Sequence, residues 1–416
     1  MTPRIAMLSV HTCPLAALGG KETGGMNVYV RELSRELGRM GFHVDVFTRS
    51  QNAQVPRIVP MGEQVRVIHL VAGPERPLPR EHTYHYLEEF ADSLEAFRVE
   101  EGITYELIHS HYWLSGVVGL ELRRRWGVPL LQMFHTLGAL KNEVARSIEE
   151  REPPLRLKEE ARLVREADRL IAATPVDRSH LVWYYEAAPH RIVVIPCGVD
   201  TTLFRPVPPA RAKVELGLGD DPVVLYVGRL APIKGLETLL DSIPKLQQTR
   251  SPVVLIVGGG LDESANGHLT TLYSRMNALG IEDRVRFLGA QPQERLPYFY
   301  AAARVTVMPS YYESFGMVAL EAMACGSPVI ASRVGGLTVT VEDGINGFLV
   351  PEGDSVELAN RLDQLFNNEA LRRRLGGEAM RLASNYRWPC IAQAIGKIYE
   401  EFLPAAKSRL PLSSRC

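Results

Sequence analysis

Cysteine is scarce in this chain: five in 416 residues, Cys13, Cys197, Cys325, Cys390 and Cys416. They lie far apart and form neither a Cys-x-x-Cys pair nor a metal-ligand cluster, which excludes a disulfide scaffold and a zinc module. A reducing cytoplasm is the expected compartment. An excess of one charge is also missing, with 47 Lys plus Arg against 48 Asp plus Glu. That balance excludes the broad basic surface on which nucleic-acid binding rests, so any phosphate must be held by local clusters. No apolar run approaches the roughly 20 residues of a membrane span. The N-terminal run, Arg4 to Val10, is about seven residues long and leads into a polar Gly-rich loop, too short for the core of a signal peptide. No Asp-x-Asp motif is well placed after a strand, so no essential metal is expected.

A hydrophobic fraction of 46% and a charged fraction of 23% are those of a globular protein, and the length suggests about two domains. Short apolar strands alternate with amphipathic helices from end to end. In the first half the strands read "RIAMLSV", "HVDVFT", "VRVIHLV", "ELIHSH", "PLLQMFHT", "RLIAAT" and "RIVVIP". After a Pro-rich stretch around residues 196 to 212 the alternation restarts with "PVVLYVG", "PVVLIVGGG", "RVRFLG", "RVTVMPS", "PVIAS" and "GFLVP". The pattern predicts two α/β domains, residues 1–198 and 199–387, each a doubly wound parallel sheet covered on both faces. Ligands of such sheets sit at the carboxyl ends of the strands.

Three stretches there carry candidate chemistry. "GGKETGGMN", Gly19 to Asn27, follows the first strand; its GGxxxGG spacing is neither the dinucleotide fingerprint nor the P-loop pattern, and turn geometry alone could account for it. "GRLAPIKG", Gly228 to Gly235, puts Arg229 and Lys234 at a strand's end, where a departing diphosphate needs cations. "PSYYESFGMVALEAMACGSPVIAS", residues 309 to 332, spaces Glu313 and Glu321 eight apart around the start of a helix. At the helical rise that is about 12 Å, with the N-terminus between the carboxylates. A helix N-terminus attracts a diphosphate, and a carboxylate on either side suits the hydroxyl-rich ends of a nucleotide sugar, Glu313 on the sugar and Glu321 on the ribose. The competing reading, two solvated surface glutamates, fits poorly with the apolar surroundings of Glu321.

"GRLAPIKG" together with "ESFGMVALEAMACGSPVIAS" resembles the retaining nucleotide-sugar glycosyltransferases of family 4, over nearly the whole chain. The resemblance implies the GT-B fold, two Rossmann-like domains facing each other across a cleft, with a last helix (388–405, "WPCIAQAIGKIYEEFL") returning to the N-terminal, acceptor-binding domain. It implies that Arg229 and Lys234 bind the donor diphosphate, that Glu313, Ser314, Phe315, Gly316 and Glu321 contact the donor, and that Gly24 and Gly25 line the reaction centre with Asn27 reaching the substrates. "FHT" matches the family's donor-sugar position, which puts His135 beside the transferred sugar. "GGMNVYV", "IHSHYWLSG" and "HTLGALKN" resemble two branches whose acceptors carry a phosphate: sucrose-phosphate synthases and the mycothiol-pathway inositol 3-phosphate transferases. The acceptor-phosphate positions map onto Arg80, Tyr112, Thr136, Lys141 and Arg156; Arg80 departs from the family, where lysine is common.

The implied reaction is transfer of glucose from UDP-glucose to fructose 6-phosphate, without a metal cofactor. The alternative within the family is UDP-N-acetylglucosamine with inositol 3-phosphate. An alternative of another class is a catalytically silent sugar-nucleotide sensor, against which the intact set Arg229, Lys234, Glu313 and Glu321 argues. The partners expected are thus a nucleotide sugar and a phosphorylated acceptor, with no nucleic acid and no membrane span.

Overall fold

The computed structural model describes residues 2–17, 23–247, 252–259 and 267–403. The described residues divide into two compact units; the first takes those up to Ala16, Gly25–Pro196 and those from Trp388 onward, and the second takes Cys197–Arg387 with those between Ala17 and Gly24.

The first unit is built on an eight-stranded sheet. Its strands are β1 (Arg4–Leu8), β2 (His43–Arg49), β3 (Ile58–Gly62), β4 (Val65–Leu70), β5 (Leu107–His111), β6 (Leu130–Met133), β7 (Arg169–Ala172) and β8 (Ile192–Val194), ordered β3-β4-β2-β1-β5-β6-β7-β8. All pairs are parallel except β3 with β4. The sequence reading missed β3 and with it the antiparallel edge. Its residues Ile-Val-Pro-Met-Gly are mostly outside the core, and Pro60, which cannot donate to a ladder, is tolerated because the strand lies at the edge and its register shifts there.

The central strands show why they form. Ile5 to Leu8 and Leu107 to His111 are buried on both faces, as near-continuous apolar runs of parallel sheets must be. The last helix, Trp388–Phe402, packs on the helix Gly25–Arg39 that follows β1. Tyr29 and Trp388 meet edge to face at 5.5 Å, and Gly396 lies where a Cβ would come within 2.9 Å of Met40. Residues 404 and 405 of the expected last helix lie outside the described residues.

The second unit has six parallel strands, β9 (Val223–Val227), β10 (Val253–Val257), β11 (Val285–Phe287), β12 (Val305–Met308), β13 (Val329–Ser332) and β14 (Gly347–Val350), ordered β11-β10-β9-β12-β13-β14. Its core gathers Val224, Val254, Ile256, Val305, Val307 and Ile330 from the sheet with Leu239, Leu269 and Leu362 from the helices. The stretch "GLETLLDSIPKLQQ", read as one helix, is a helix over Leu236–Ser242 followed by a 3-10 turn at Ile243–Lys245, because Pro244 cannot continue an α-helix.

Both sheets are doubly wound. In each, strand order reverses once, between β1 and β5 in the first unit and between β9 and β12 in the second. Loops at such switch points diverge and open a crevice at the carboxyl ends.

Candidate active site

In the first unit the strand ends beside the switch point carry a cationic cluster. Tyr112 follows β5, and His135 and Thr136 follow β6. Tyr112 and His135 both hold positive φ, 74° and 61°, a conformation that costs a non-glycine residue energy and is retained where the surroundings over-determine it. The Tyr112 hydroxyl accepts from Arg80 at 3.2 Å and from Arg156 at 3.0 Å. Both guanidiniums also lie over its ring, 5.6 and 4.9 Å from the centroid. Arg156 further donates to the carbonyl and hydroxyl of Thr136, at 2.8 and 3.1 Å. The structure therefore brings Arg80, Tyr112, Thr136 and Arg156 to one place.

Lys141 joins them through a carboxylate that the sequence reading did not single out. Glu152 Oε1 pairs with Lys141, lies 2.9 Å from Arg156 and 4.0 Å from Arg80. Burial works against the Glu152 charge, but Arg156 and Lys141 outweigh it and hold the carboxyl down at about 2. Burial, with the nearby guanidiniums of Arg156 and Arg80, keeps the Lys141 ammonium below its ordinary value even as Glu152 pulls the other way. Arg156 is fully buried and also pairs with the fully buried Glu160, at 2.7 Å. Glu160 in turn accepts from the amide of Gly138, at 2.9 Å, and from the Tyr185 hydroxyl. The signal for both acids was present in the sequence as two glutamates four residues either side of Arg156.

A chain of imidazoles lies beside this cluster. His135 Nε2 and His111 Nδ1 are 3.0 Å apart, and His109 Nδ1 is 2.7 Å from the Tyr399 hydroxyl of the last helix. Burial holds His109 and His135 down at about 3 and pushes His11 and His111 well below the usual histidine range. His135 is thus a neutral hydrogen-bonding group at neutral pH. Asn27 is buried in the helix after β1, and its amide group donates to Thr12 Oγ1 and the Cys13 carbonyl, both at 2.7 Å. It clamps the loop leaving β1. Gly24 and Gly25 stand at the start of that helix; Gly19, Gly20, Lys21 and Glu22 of the Gly-rich loop lie outside the described residues.

In the second unit the loops after β9 and β12 supply the other residues. Lys234 ends a 3-10 turn after β9 and its ammonium lies 2.5 Å from Glu313 Oε2. Arg229 begins the same loop, its carbonyl accepting from the Tyr226 hydroxyl at 2.8 Å. Gly235 lets the loops meet: it is left-handed at φ 64°, and a Cβ there would stand 2.0 Å from the Pro309 carbonyl oxygen. Ser314 Oγ is 3.1 Å from the Tyr312 hydroxyl, and Phe315 is buried. Gly316, at φ 87°, turns the chain into the helix Met317–Ala324.

The helix begins at Met317, so its N-terminus falls between Glu313 and Glu321 as expected, but residues 313–316 are loop and the 12 Å taken from the helical rise does not apply to the pair. Glu313 is held on the loop before the helix. Glu321 is on the helix, 7% exposed, and accepts from the Tyr300 hydroxyl at 2.8 Å. It is no solvated surface glutamate. Among the described residues no group of three or more His, Cys, Asp and Glu could hold a metal ion, and no helix is long and apolar enough to cross a membrane.

Two doubly wound units, each with charged residues on the loops at its own switch point, fit the GT-B class of glycosyltransferases. The comparisons agree: residues 23–203 match the model described as Glycosyltransferase Family 4 and residues 210–381 that described as Glycosyl transferases group 1. The chain belongs to this glycosyltransferase family. It is 41% identical over 404 residues to the D-inositol 3-phosphate glycosyltransferase of Frankia alni, covering 95% of this chain and 99% of the relative. With the protein of the same name from Acidothermus cellulolyticus the identity is 42% over 409 residues, covering 97% and 91%. Among solved structures, sucrose-phosphate synthase from Thermosynechococcus elongatus superimposes with a TM-score of 0.90 at 37% identity, covering 96% of this chain and 98% of that one.

Proposed function

We propose that this enzyme transfers a hexosyl group, with retention, from a UDP-sugar to a hydroxyl of a phosphorylated polyol or sugar. The observation that carries the reading is the cluster of Arg80, Lys141 and Arg156 gathered about the Glu152 carboxylate oxygen in the first unit, with the Tyr112 and Thr136 hydroxyls in contact with its guanidiniums. Three cations and two hydroxyls are the donors a phosphomonoester dianion requires. D-inositol 3-phosphate, with UDP-N-acetylglucosamine as donor, is the first acceptor to test, because two relatives of that name align over nearly the whole chain at 41% and 42% identity. Fructose 6-phosphate with UDP-glucose, the pair expected from overall likeness while the motifs fitted both branches, is the second reading; the 0.90 TM-score to a sucrose-phosphate synthase supports it.

On the donor side, Arg229, Lys234 and the N-terminus of the helix Met317–Ala324 bind and neutralise the leaving diphosphate. Glu313 orients the transferred sugar and positions Lys234, while Glu321 takes the ribose. Gly24 and Gly25 offer backbone N–H groups near the diphosphate, and neutral His135 orients the sugar. The leaving phosphate accepts the acceptor's proton on the face it departs from, so no covalent nucleophile and no metal is needed. The test is UDP release from each donor with each acceptor, with and without EDTA. Release with inositol 3-phosphate or fructose 6-phosphate that survives EDTA supports the reading and selects the pair. Release only with acceptors that lack a phosphate contradicts it.

A further inference from the structure

Glu152 is unexpected in a site that binds an anionic group. The three cations that the proposed acceptor phosphate needs already share a carboxylate of the protein itself. Glu152 Oε1 pairs with Lys141 and lies 2.9 Å from Arg156 Nη1 and 4.0 Å from Arg80 Nη1. Its backbone is tied as well: the Glu152 amide donates to Asn142 Oδ1 at 2.6 Å, and Asn142 Nδ2 donates to the Glu152 carbonyl at 3.3 Å. The side chain is 13% exposed. Glu152 stands at the end of the connection from Ala145 to Pro153, which carries no helix or strand and exposes Ile148 to 81%. Behind the cluster the geometry is fixed, because Arg156 is locked to buried Glu160 on its own helix.

We infer that Glu152 is a specificity-determining residue, a built-in anion that holds the acceptor-phosphate site in its bound arrangement and must be displaced by the acceptor's phosphate; this rests on the proposed function above. Two physical consequences follow. With Glu152 in place the mutual repulsion of three clustered cations is offset and the fully buried Arg156 keeps its partners, so the site is organised before any substrate arrives. Entry is then a competition between anions for the same donors. A phosphomonoester dianion, with more charge and three acceptor oxygens, displaces a single carboxylate; a monocarboxylate has no such advantage, and a neutral sugar offers nothing in exchange for the pair it would break. Glu152 thereby weakens phosphate binding in absolute terms and sharpens selection for it.

The test is calorimetric titration of inorganic phosphate into the full-length protein, its Glu152→Gln and Glu152→Ala variants, with thermal unfolding and UDP binding as checks that each variant is folded. Turnover of the phosphorylated acceptor is measured alongside. Removing the competing charge is expected to tighten phosphate binding on the order of tenfold or more in both variants, the equivalent of one charge-assisted hydrogen bond. Phosphate binding seen only in the variants also supports the inference. Equal affinity in all three proteins, or weaker binding in the variants, overturns it while leaving the acceptor reading intact if the phosphorylated acceptor is still consumed. Folded variants and a wild type that bind no phosphate and consume no phosphorylated acceptor overturn both.

Discussion

Lys234 and Glu313 illustrate how one contact can serve binding and chemistry together. On the proposed function, the 2.5 Å pair presets an ammonium where the leaving diphosphate would develop charge. Lys234→Ala should therefore lower kcat by about 10²- to 10³-fold, the usual loss for one electrostatic stabiliser, with the fold retained; steady-state UDP release and thermal unfolding check both halves. Arg156 behaves differently. It is fully buried between Glu152 and Glu160, so Arg156→Ala leaves acidic groups uncompensated in the interior and should cost about 3–5 kcal/mol of stability, measurable by denaturant unfolding. Arg80, less buried at 26% side-chain exposure, can be removed at lower cost. Arg80→Ala should raise the acceptor KM by roughly tenfold with little change in kcat, the signature of a lost binding contact.

The same residues set the limits of reading a sequence. The five acceptor residues were legible only through motif resemblance, since composition and spacing gave no reason to join Arg80 to Arg156 across 76 positions. Glu152 and Glu160 stand in the sequence as i±4 neighbours of Arg156, but such pairs are usually solvated surface contacts; burial, which the sequence does not print, sets these two apart. The positive φ of Tyr112 and His135 left no trace in residue type at all. Asn27 appeared as a substrate contact, yet its amide group is engaged in pinning Thr12 and Cys13.

Among the elements, strands were the easiest to read. Thirteen of the fourteen among the described residues were apolar runs, and the exception, β3, pairs at the edge with proline in it. Helix starts were harder: the "ESFG" turn delays the helix to Met317, because Gly316 takes a left-handed conformation. Loop contacts were invisible. The close passage of the β9 and β12 loops depends on Gly235, whose Cβ position lies 2.0 Å from a backbone oxygen. Gly235→Ala must therefore displace one loop from the other, and the Lys234–Glu313 pair with them. The expected outcome is a several-fold or greater loss of UDP affinity by calorimetry together with a lowered Tm, more than the modest effect of a glycine-to-alanine change at an unstrained site.

For the molecule as a whole, the buried histidines link stability to pH. His109 and His135 titrate at about 3 in the folded protein, against an ordinary value near 6.5 in the unfolded chain. Above 6.5 both states are neutral and nothing is lost. As the pH falls from about 6.5 toward 3 the unfolded chain takes up protons that the folded protein refuses, so stability declines through that window. Tm measured from pH 7.5 to 4.5 should fall on the acid side, while the acid limb of activity in folded protein should not track titration of His135. A Tm that rises as the pH is lowered from 7 to 5 would contradict the neutral, buried assignment.

On the proposed function the acceptor is recognised by its phosphate through the Arg80, Lys141 and Arg156 cluster. The most direct measurement of this recognition is the ratio of kcat/KM for a phosphorylated acceptor to that for the same acceptor without its phosphate, in the wild type and in Arg80→Ala. The expected preference is on the order of 10³-fold or more, because an acceptor without a phosphate offers the three cations nothing in place of their pairs with Glu152, and it should fall markedly when Arg80 is removed. Equal use of the two acceptors, or a preference untouched by Arg80→Ala, would contradict it.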